Sequence, residues 1–331
     1  MNEKVRMLLV LLLVVGILLM LIFTRDIFYI FEQTQLMTAP KDITSTTRVA
    51  PQWRFSTARE MLYILYGVRD KKPVDEERLL EYIRSHISEP SPELPYHLAH
   101  TQTDLSQCGQ SAYVDKLLSG RRGGFFIECG AADGEKLSNS LFFELERNWT
   151  GILIEANPDF YQALLRKNRR AYALGACLSP ERRPMRVRMQ SADVFSRIVG
   201  KVNDAVGDKE ASVAVNCFPL NMILAALKVS HVDYLSLDVE GPEIEILRTV
   251  DWTRLRIDVI TIEYRVLTAS SEKNQINKRE TLAKLKRLRK FFHRTGIYRE
   301  MAWLPHGSAA AGLDVVFSRI GNATTEALPS A

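Results

Sequence analysis

Two short stretches constrain this chain more than any others: Phe125–Gly134, reading FFIECGAADG, and Tyr234–Glu243, reading YLSLDVEGPE. Each is an apolar strand that runs directly into acidic residues and glycine. A parallel α/β sheet presents its ligand-binding groups in this way, at the carboxyl ends of its strands. The surrounding pattern alternates. Strands are expected over 124–129, 151–155, 171–178, 184–190, 232–237 and 257–263, and helices over 136–148, 157–169, 219–229, 242–249 and 278–294. An irregular insertion is expected over 191–212. Such alternation predicts a parallel sheet with helices on both faces. Two last strands, near 297–302 and 312–318, are separated only by a loop, which implies an antiparallel hairpin at one sheet edge.

The turn Glu128-Cys129-Gly130-Ala131-Ala132-Asp133-Gly134 carries the first chemistry. Gly130 and Gly134 let a backbone approach a ligand closely. Ala132 stands where a dinucleotide fingerprint has its middle glycine, and Glu128 and Asp133 would repel a pyrophosphate. A sulfonium and an amino group would be attracted instead, so the turn favours S-adenosylmethionine over a dinucleotide. Glu155 ends the next strand, in Ile152-Leu153-Ile154-Glu155-Ala156-Asn157-Pro158, where a carboxylate can accept hydrogen bonds from ribose hydroxyls. Asn157 is expected to cap the following helix, with Pro158 in its first turn.

Asp238 and Glu240 follow the strand Tyr234–Leu237 and are the candidate catalytic residues. Either can orient the cofactor or serve as general base toward a substrate hydroxyl. Glu263, at the next strand end, is a second-rank candidate. Paired acids here are an alternative ligand set for a divalent metal, although the site reading assigns no metal. Glu243 and Glu245 are explained by the favourable dipole of a helix N-terminus. The helix over 278–294 is basic and amphipathic, with Leu282, Leu285, Leu288, Phe291 and Phe292 in register and a solvated basic face.

Ahead of this region, Met7–Phe23 reads MLLVLLLVVGILLMLIF, without charge or proline, after Lys4 and Arg6. It is just long enough to span a bilayer, for which about 17–25 residues are needed. It is also long for the apolar part of a cleaved signal, and no small-x-small site follows. The flanking charges place the N-terminus in the cytosol and the body in the lumen. The short span suits a thin membrane such as that of the endoplasmic reticulum or early Golgi. The expected organisation is a cytosolic tail over 1–6, an anchor over 7–23, a stem with short helices and a proline-rich linker over 24–119, the α/β domain over 120–320 and a tail over 321–331. Two sequons, at Asn148 and Asn322, agree with a lumenal body. The net charge of +5 on 331 residues gives no reason to expect a nucleic-acid partner. The four cysteines lack a Cys-x-x-Cys pair, which argues against a zinc site or a disulfide framework but leaves one bridge open. Cys129 reads as a small buried hydrophobe.

The blocks Glu128–Gly134, Trp149–Glu155, Cys177-Leu178-Ser179, Val215–Pro219 and Val232–Glu263 together resemble the FkbM-type methyltransferase domain, over about Gly120 to Arg319. CFPLNMILAALK, VDYLSLDVEGPEIEILRTVDW and WTGILIEANP are the most specific phrases, and the chain looks most similar to the Star-like subgroup. The resemblance implies a class I, Rossmann-like methyltransferase fold with an antiparallel C-terminal strand. It also implies an S-adenosylmethionine pocket formed by Glu128, Gly130, Ala131, Asp133, Gly134, Glu155 and Asp238. The wider family methylates hydroxyls of sugars and other natural products, which implies a glycan or protein acceptor. The Star-like subgroup instead implies a non-catalytic factor moving membrane-bound growth-factor precursors from endoplasmic reticulum to Golgi. Pro242 departs from the small residue usual after the acid-glycine pair, and no residue matches an established catalytic base.

Overall fold

The computed structural model describes residues 76–190, 197–201, 212–267, 276–305 and 313–321. The expected anchor at 7–23, a short helix expected over 56–67 and the sequon at Asn322 lie outside the described residues. Among those described, no helix is long and apolar enough to cross a membrane.

The described elements begin with helix α1 (Glu76–Ser85), strand β1 (Ile87–Ser88) and helix α2 (Gln110–Leu117). Then come β2 (Phe125–Cys129), α3 (Leu141–Arg147), β3 (Thr150–Ile154), α4 (Pro158–Leu165) and β4 (Tyr172–Leu174). A second group of strands follows: β5 (Cys177–Leu178), β6 (Met185–Gln190), β7 (Arg197–Lys201) and β8 (Ser212–Phe218). The chain returns through α5 (Leu220–Ala226), β9 (His231–Leu237), α6 (Glu243–Thr249), β10 (Arg256–Glu263) and α7 (Lys278–Thr295). It ends on β11 (Tyr298–Pro305) and β12 (Leu313–Arg319).

The main sheet has the order β1-β4-β3-β2-β9-β10-β12-β11. Strands β4, β3, β2, β9 and β10 are mutually parallel. Strand β12 runs antiparallel between β10 and β11, which is the hairpin edge read from the sequence. The central strands are buried along almost their whole length because helices cover both faces. On one face Ile127, Ile152, Ile154 and Ile260 meet α1, α5, α6 and α7 through Ile83, Ile223, Leu247 and Leu288. On the other, Phe126, Leu153 and Val259 meet α2, α3 and α4 through Val114, Phe143 and Leu164. Local chemistry sets the helix ends. Asn157 caps α4 by accepting from Asp159 N at 2.9 Å, with Pro158 in the first turn. Asn277 caps α7 by accepting from Glu280 N at 3.2 Å, and Gly296 closes it in the left-handed region.

Three local expectations are corrected. The helix expected over 136–148 begins only at Leu141, because Ser138, Asn139 and Ser140 bind the buried Glu128 carboxylate instead of extending a helical ladder. The strand expected over 171–178 divides at Gly175-Ala176, and Cys177–Leu178 joins a separate four-stranded sheet of order β5-β8-β6-β7. Strand β8 and this second sheet were not legible as such. In α7, Leu285, Leu288 and Phe292 are buried as expected, whereas Leu282 is 56% exposed.

The second sheet has its own small core of Met185, Val187, Met189, Val215 and Cys217, against which Ala156 packs. A disulfide joins Cys177 to Cys217 across the paired strands β5 and β8. Its partners are 40 residues apart, so closing that loop in the unfolded chain corresponds to about 4 kcal/mol in the chain-entropy picture. Replacing both cysteines by serine is therefore expected to lower the unfolding free energy by about 2–4 kcal/mol, read from urea unfolding with wild-type slope. A wild-type midpoint unmoved by reductant would contradict the bridge.

Candidate functional site

The order of the main sheet reverses between β2 and β9, since β3 and β4 lie to one side of β2 and β10 to the other side of β9. A ligand crevice forms at such a switch point, outside the strands' carboxyl ends. The two acidic motifs meet there. Asp238 N donates to Cys129 O at 3.1 Å, and Gly130 N donates to Ile154 O at 3.0 Å. Gly130 has φ 82°, and a Cβ on it would run into the Asp238 carbonyl oxygen. The glycine is thus demanded by the close passage of two main chains.

Glu128 is placed differently from expectation. Its side chain is buried, Oε2 accepts from Ser138 Oγ at 2.8 Å and from Ser140 Oγ, and Oε1 accepts from Asn139 N at 2.6 Å. Burial pushes its carboxyl up, against Arg169 and these donors. The carboxylate therefore organises the loop after β2 and does not line an open pocket, a correction to its expected role. Asp133 is also partly engaged: Oδ1 accepts from Glu135 N at 3.0 Å and Lys136 N at 2.8 Å, and Oδ2 lies 3.9 Å from Lys167 Nζ. Ala131 is buried, with its N–H on Ile154 O at 3.2 Å. Gly134 closes the same turn through Ala131 O at 2.8 Å, with φ 76° and Leu164 packed against it.

Glu155, expected to meet ribose hydroxyls, stands just beyond β3 and is bound by backbone donors. Oε2 accepts from Ala132 N at 2.8 Å and Oε1 from Asn157 N at 2.7 Å. A carboxylate offers about four acceptor positions, so capacity remains beyond its backbone donors. These backbone donors fix the carboxylate beside the turn, and Ala132, at φ 45°, was not among the expected site residues. Burial pushes the Glu155 carboxyl up to about 7, against the backbone donors of Asn157, Ala132 and Ala156.

Across the switch point, side-chain oxygens of Asp238, Glu240 and Glu263 all lie within 4.8 Å of one another. Arg265 joins them, its Nη2 2.7 Å from Glu263 Oε1 and 3.3 Å from Glu240 Oε1. Glu240 sits at φ 55°, and burial followed by the charge of Asp238 raises its carboxyl to about 7. The same causes hold Glu263 well above the usual carboxylate range. Asp314, at the start of β12, adds a buried carboxyl that receives a hydrogen bond from Gln110 Nε2 at 2.9 Å and is pushed up to about 7 by burial and Asp238. Sequence reading missed Arg265, Gln110 and Asp314; for Arg265 the only signal was its place two residues beyond Glu263. Glu243 stands in the first turn of α6 as expected, and there it is buried and paired with Lys284 Nζ at 2.8 Å. Glu245 is half exposed, as a dipole role requires.

A second acidic group lies at the amino ends of β9 and β10. Asp258 is met by Arg121 Nη1 and Arg256 Nε, both at 2.8 Å, and by His231 Nε2 at 3.2 Å. Asp233 pairs with Arg121 and receives Phe125 N at 2.8 Å. Burial opposes ionisation of Asp258, yet hydrogen bonds from Arg256, Arg121 and His231 hold it at about 2. This end of the sheet is a closed ionic clasp. Asn148, at φ 55°, ends α3 as an exposed left-handed residue, so the helix-end role and an accessible sequon coincide.

Residues 128–296 match the methyltransferase FkbM domain, just over half of the chain. The chain belongs to that family. Comparison with curated proteins gives no match. Solved structures similar to the FkbM chain include Aeropyrum pernix fibrillarin with natively bound S-adenosyl-L-methionine, at 12% identity and TM-score 0.36, covering 64% of this chain and 74% of that one. A putative O-methyltransferase from Klebsiella pneumoniae has 12% identity and TM-score 0.37, with 79% and 94% covered. Precorrin-6y C5,15-methyltransferase from Geobacter metallireducens has 14% identity and TM-score 0.34, with 67% and 94% covered. The Rossmann-like methyltransferase fold itself follows from the strand order and the domain match.

Gly130→Ala is expected to destabilise the domain by about 2–3 kcal/mol, since it combines a positive φ with a backbone collision. Urea unfolding measures this, and wild-type stability would contradict the close passage.

Proposed function

We propose that this FkbM domain is an S-adenosylmethionine-dependent O-methyltransferase, anchored in a membrane of the secretory pathway and acting on a hydroxyl of a glycan or protein. The observation that carries this reading is the pairing of Glu155 and the Asp238–Glu240–Glu263 group across the switch point. Glu155 would hold the ribose hydroxyls of the cofactor, with Gly130 and Asp238 bounding the crevice. The cofactor, when bound, supplies an electrophilic methyl group on a sulfonium. The acidic group draws a cationic ligand toward the carboxyl ends of β9 and β10. Its most exposed carboxylates, on Asp238 and Glu240, are placed to take the proton that an acceptor hydroxyl loses. Orientation of the acceptor against the cofactor supplies most of the catalysis in such a transfer.

The membrane anchor, the endoplasmic reticulum or Golgi location and the lumenal body rest on the sequence at 1–31 and on the disulfide Cys177–Cys217. A disulfide forms and persists in an oxidising compartment. The exposure of Asn148 accords with the same topology. One observation favours a second reading, a Star-like factor that binds growth-factor precursor cargo without turnover. Glu128 and Asp133 hold the protein's own loop, so less of the expected pocket remains for a ligand.

Calorimetric titration of the chain with S-adenosylmethionine separates the two. Saturable binding that Glu155→Ala weakens at least about tenfold, a loss of roughly 1.4 kcal/mol, is expected of the enzyme. A folded chain that binds none would leave the cargo-binding reading. Affinity also follows the Glu155 carboxyl, whose raised value of about 7 makes it an ionised acceptor above that pH and a protonated one below. Binding is therefore expected to weaken as pH falls from 8 through 7 to 6, and Glu155→Gln to reduce that dependence, with Glu240 and Asp314 carrying the remainder. The topology has its own test. Endoglycosidase treatment of chain expressed in animal cells should shift its mobility, and Asn148→Gln with Asn322→Gln should abolish the shift. Unglycosylated chain with both sequons intact would contradict the lumenal body.

A further inference from the structure

We propose that Asp238, Glu240 and Glu263 together hold a hard divalent cation of the magnesium or manganese class at the carboxyl ends of β9 and β10. Three carboxylates supply one oxygen each within 4.8 Å of one another, a spacing that one ion can bridge. Proximity alone would not carry the assignment, because acidic groups also cluster where arginines neutralise them. The decisive observation is Glu263. It is fully buried; Oε1 pairs with Arg265 Nη2 at 2.7 Å, whereas Oε2 has no donor. A buried carboxylate oxygen without a donor is strongly disfavoured, and native interiors supply it with a partner, a water or an ion.

The charge balance points the same way. With the three acids ionised, Arg265 leaves two negative charges uncompensated. Among the described residues the other nearby cation is Lys284, which is paired with Glu243. Asp314, on which the charge of Asp238 acts, adds a fourth buried carboxyl beside the group. The clasp at the opposite sheet edge differs on this point, since Asp233 and Asp258 are met by Arg121, Arg256 and His231. Acidic oxygen ligands select hard cations over zinc or copper. Glu240, 21% exposed, and the half-buried Asp238 leave the ion open toward the crevice, with coordination positions for water or an acceptor hydroxyl. An ion there lowers the pKa of a hydroxyl that reaches it, a consequence that rests on the O-methyl-transfer reading. Binding of the ion does not.

Titration of full-length chain in mild detergent with Mn2+ alone, followed by the loss of the free-ion electron paramagnetic resonance signal, tests the site. One saturable site per chain is expected, weakened at least about tenfold by Glu263→Gln and by Asp238→Asn. Glu245→Gln, an exposed acid outside the group, should bind as wild type does. Near-ultraviolet circular dichroism reports whether each variant is folded. Should Glu263→Gln fail to fold, Asp238→Asn and the Mn2+-induced rise in wild-type melting temperature decide the matter. Absence of saturable binding to folded wild type overturns the cation, as does undiminished binding by the folded variants. S-adenosylmethionine binding measured in parallel without metal keeps the two conclusions apart. Retained cofactor binding with no Mn2+ site removes only the cation, and Mn2+ binding without cofactor binding removes only the methyltransferase reading.

Discussion

The close passage of β2 and β9 beyond their last paired residues governs this structure. Gly130 lies so near the Asp238 carbonyl that no side chain fits between them, and Asp238 N in turn binds Cys129 O. That contact fixes the two acidic motifs side by side. It brings the turn 131–134, whose Ala132 N binds Glu155, beside the loop that carries Asp238 and Glu240. A looser passage would leave each carboxylate in a strand-end loop without a common site.

Behind this mouth a buried polar network holds the loop after β2. Arg169, itself buried, donates from Nε to Glu144 Oε2 at 2.9 Å and from Nη2 to Ser140 Oγ at 3.1 Å, and also binds Gly134 O. Ser138 and Ser140 pass the contact on to Glu128. Desolvating a guanidinium and two carboxylates is costly, and removing one partner of such a network would leave a buried charge without compensation. The network explains why Glu128 is unavailable to a ligand: it is the counter-charge that Arg169 and the loop require.

The two ends of the sheet handle negative charge in opposite ways. At the amino ends of β9 and β10, two arginines and a histidine converge on Asp233 and Asp258 and close the edge. At the carboxyl ends, one arginine faces Asp238, Glu240 and Glu263, with Asp314 behind them. Among the described residues, the first end carries more neutralising cations and the second more acids. On the proposed reading, a cationic ligand, sulfonium or metal ion, meets that excess of negative charge.

The sequence by itself determined the alternating architecture, the antiparallel hairpin at the edge, the cap at Asn157 and the ends of β2, β3 and β9. These follow from local signals: apolar runs, glycine and proline punctuation and capping residues act over a few positions. It also determined that Glu155 and Asp238 stand at strand ends. Tertiary structure alone decided which acids face the crevice. Glu128, Glu243 and Asp238 look alike in sequence, but Ser138–Ser140 capture the first, Lys284 the second, and the third remains in the crevice. The second sheet and the Cys177–Cys217 bridge were hidden for the same reason, since β5 read as the end of one strand over 171–178 and its partner β8 lies beyond a long insertion. Gln110 and Asp314 come from opposite ends of the domain. Their place behind the acidic group exists only once β12 has inserted beside β10, a long-range pairing that no local window contains.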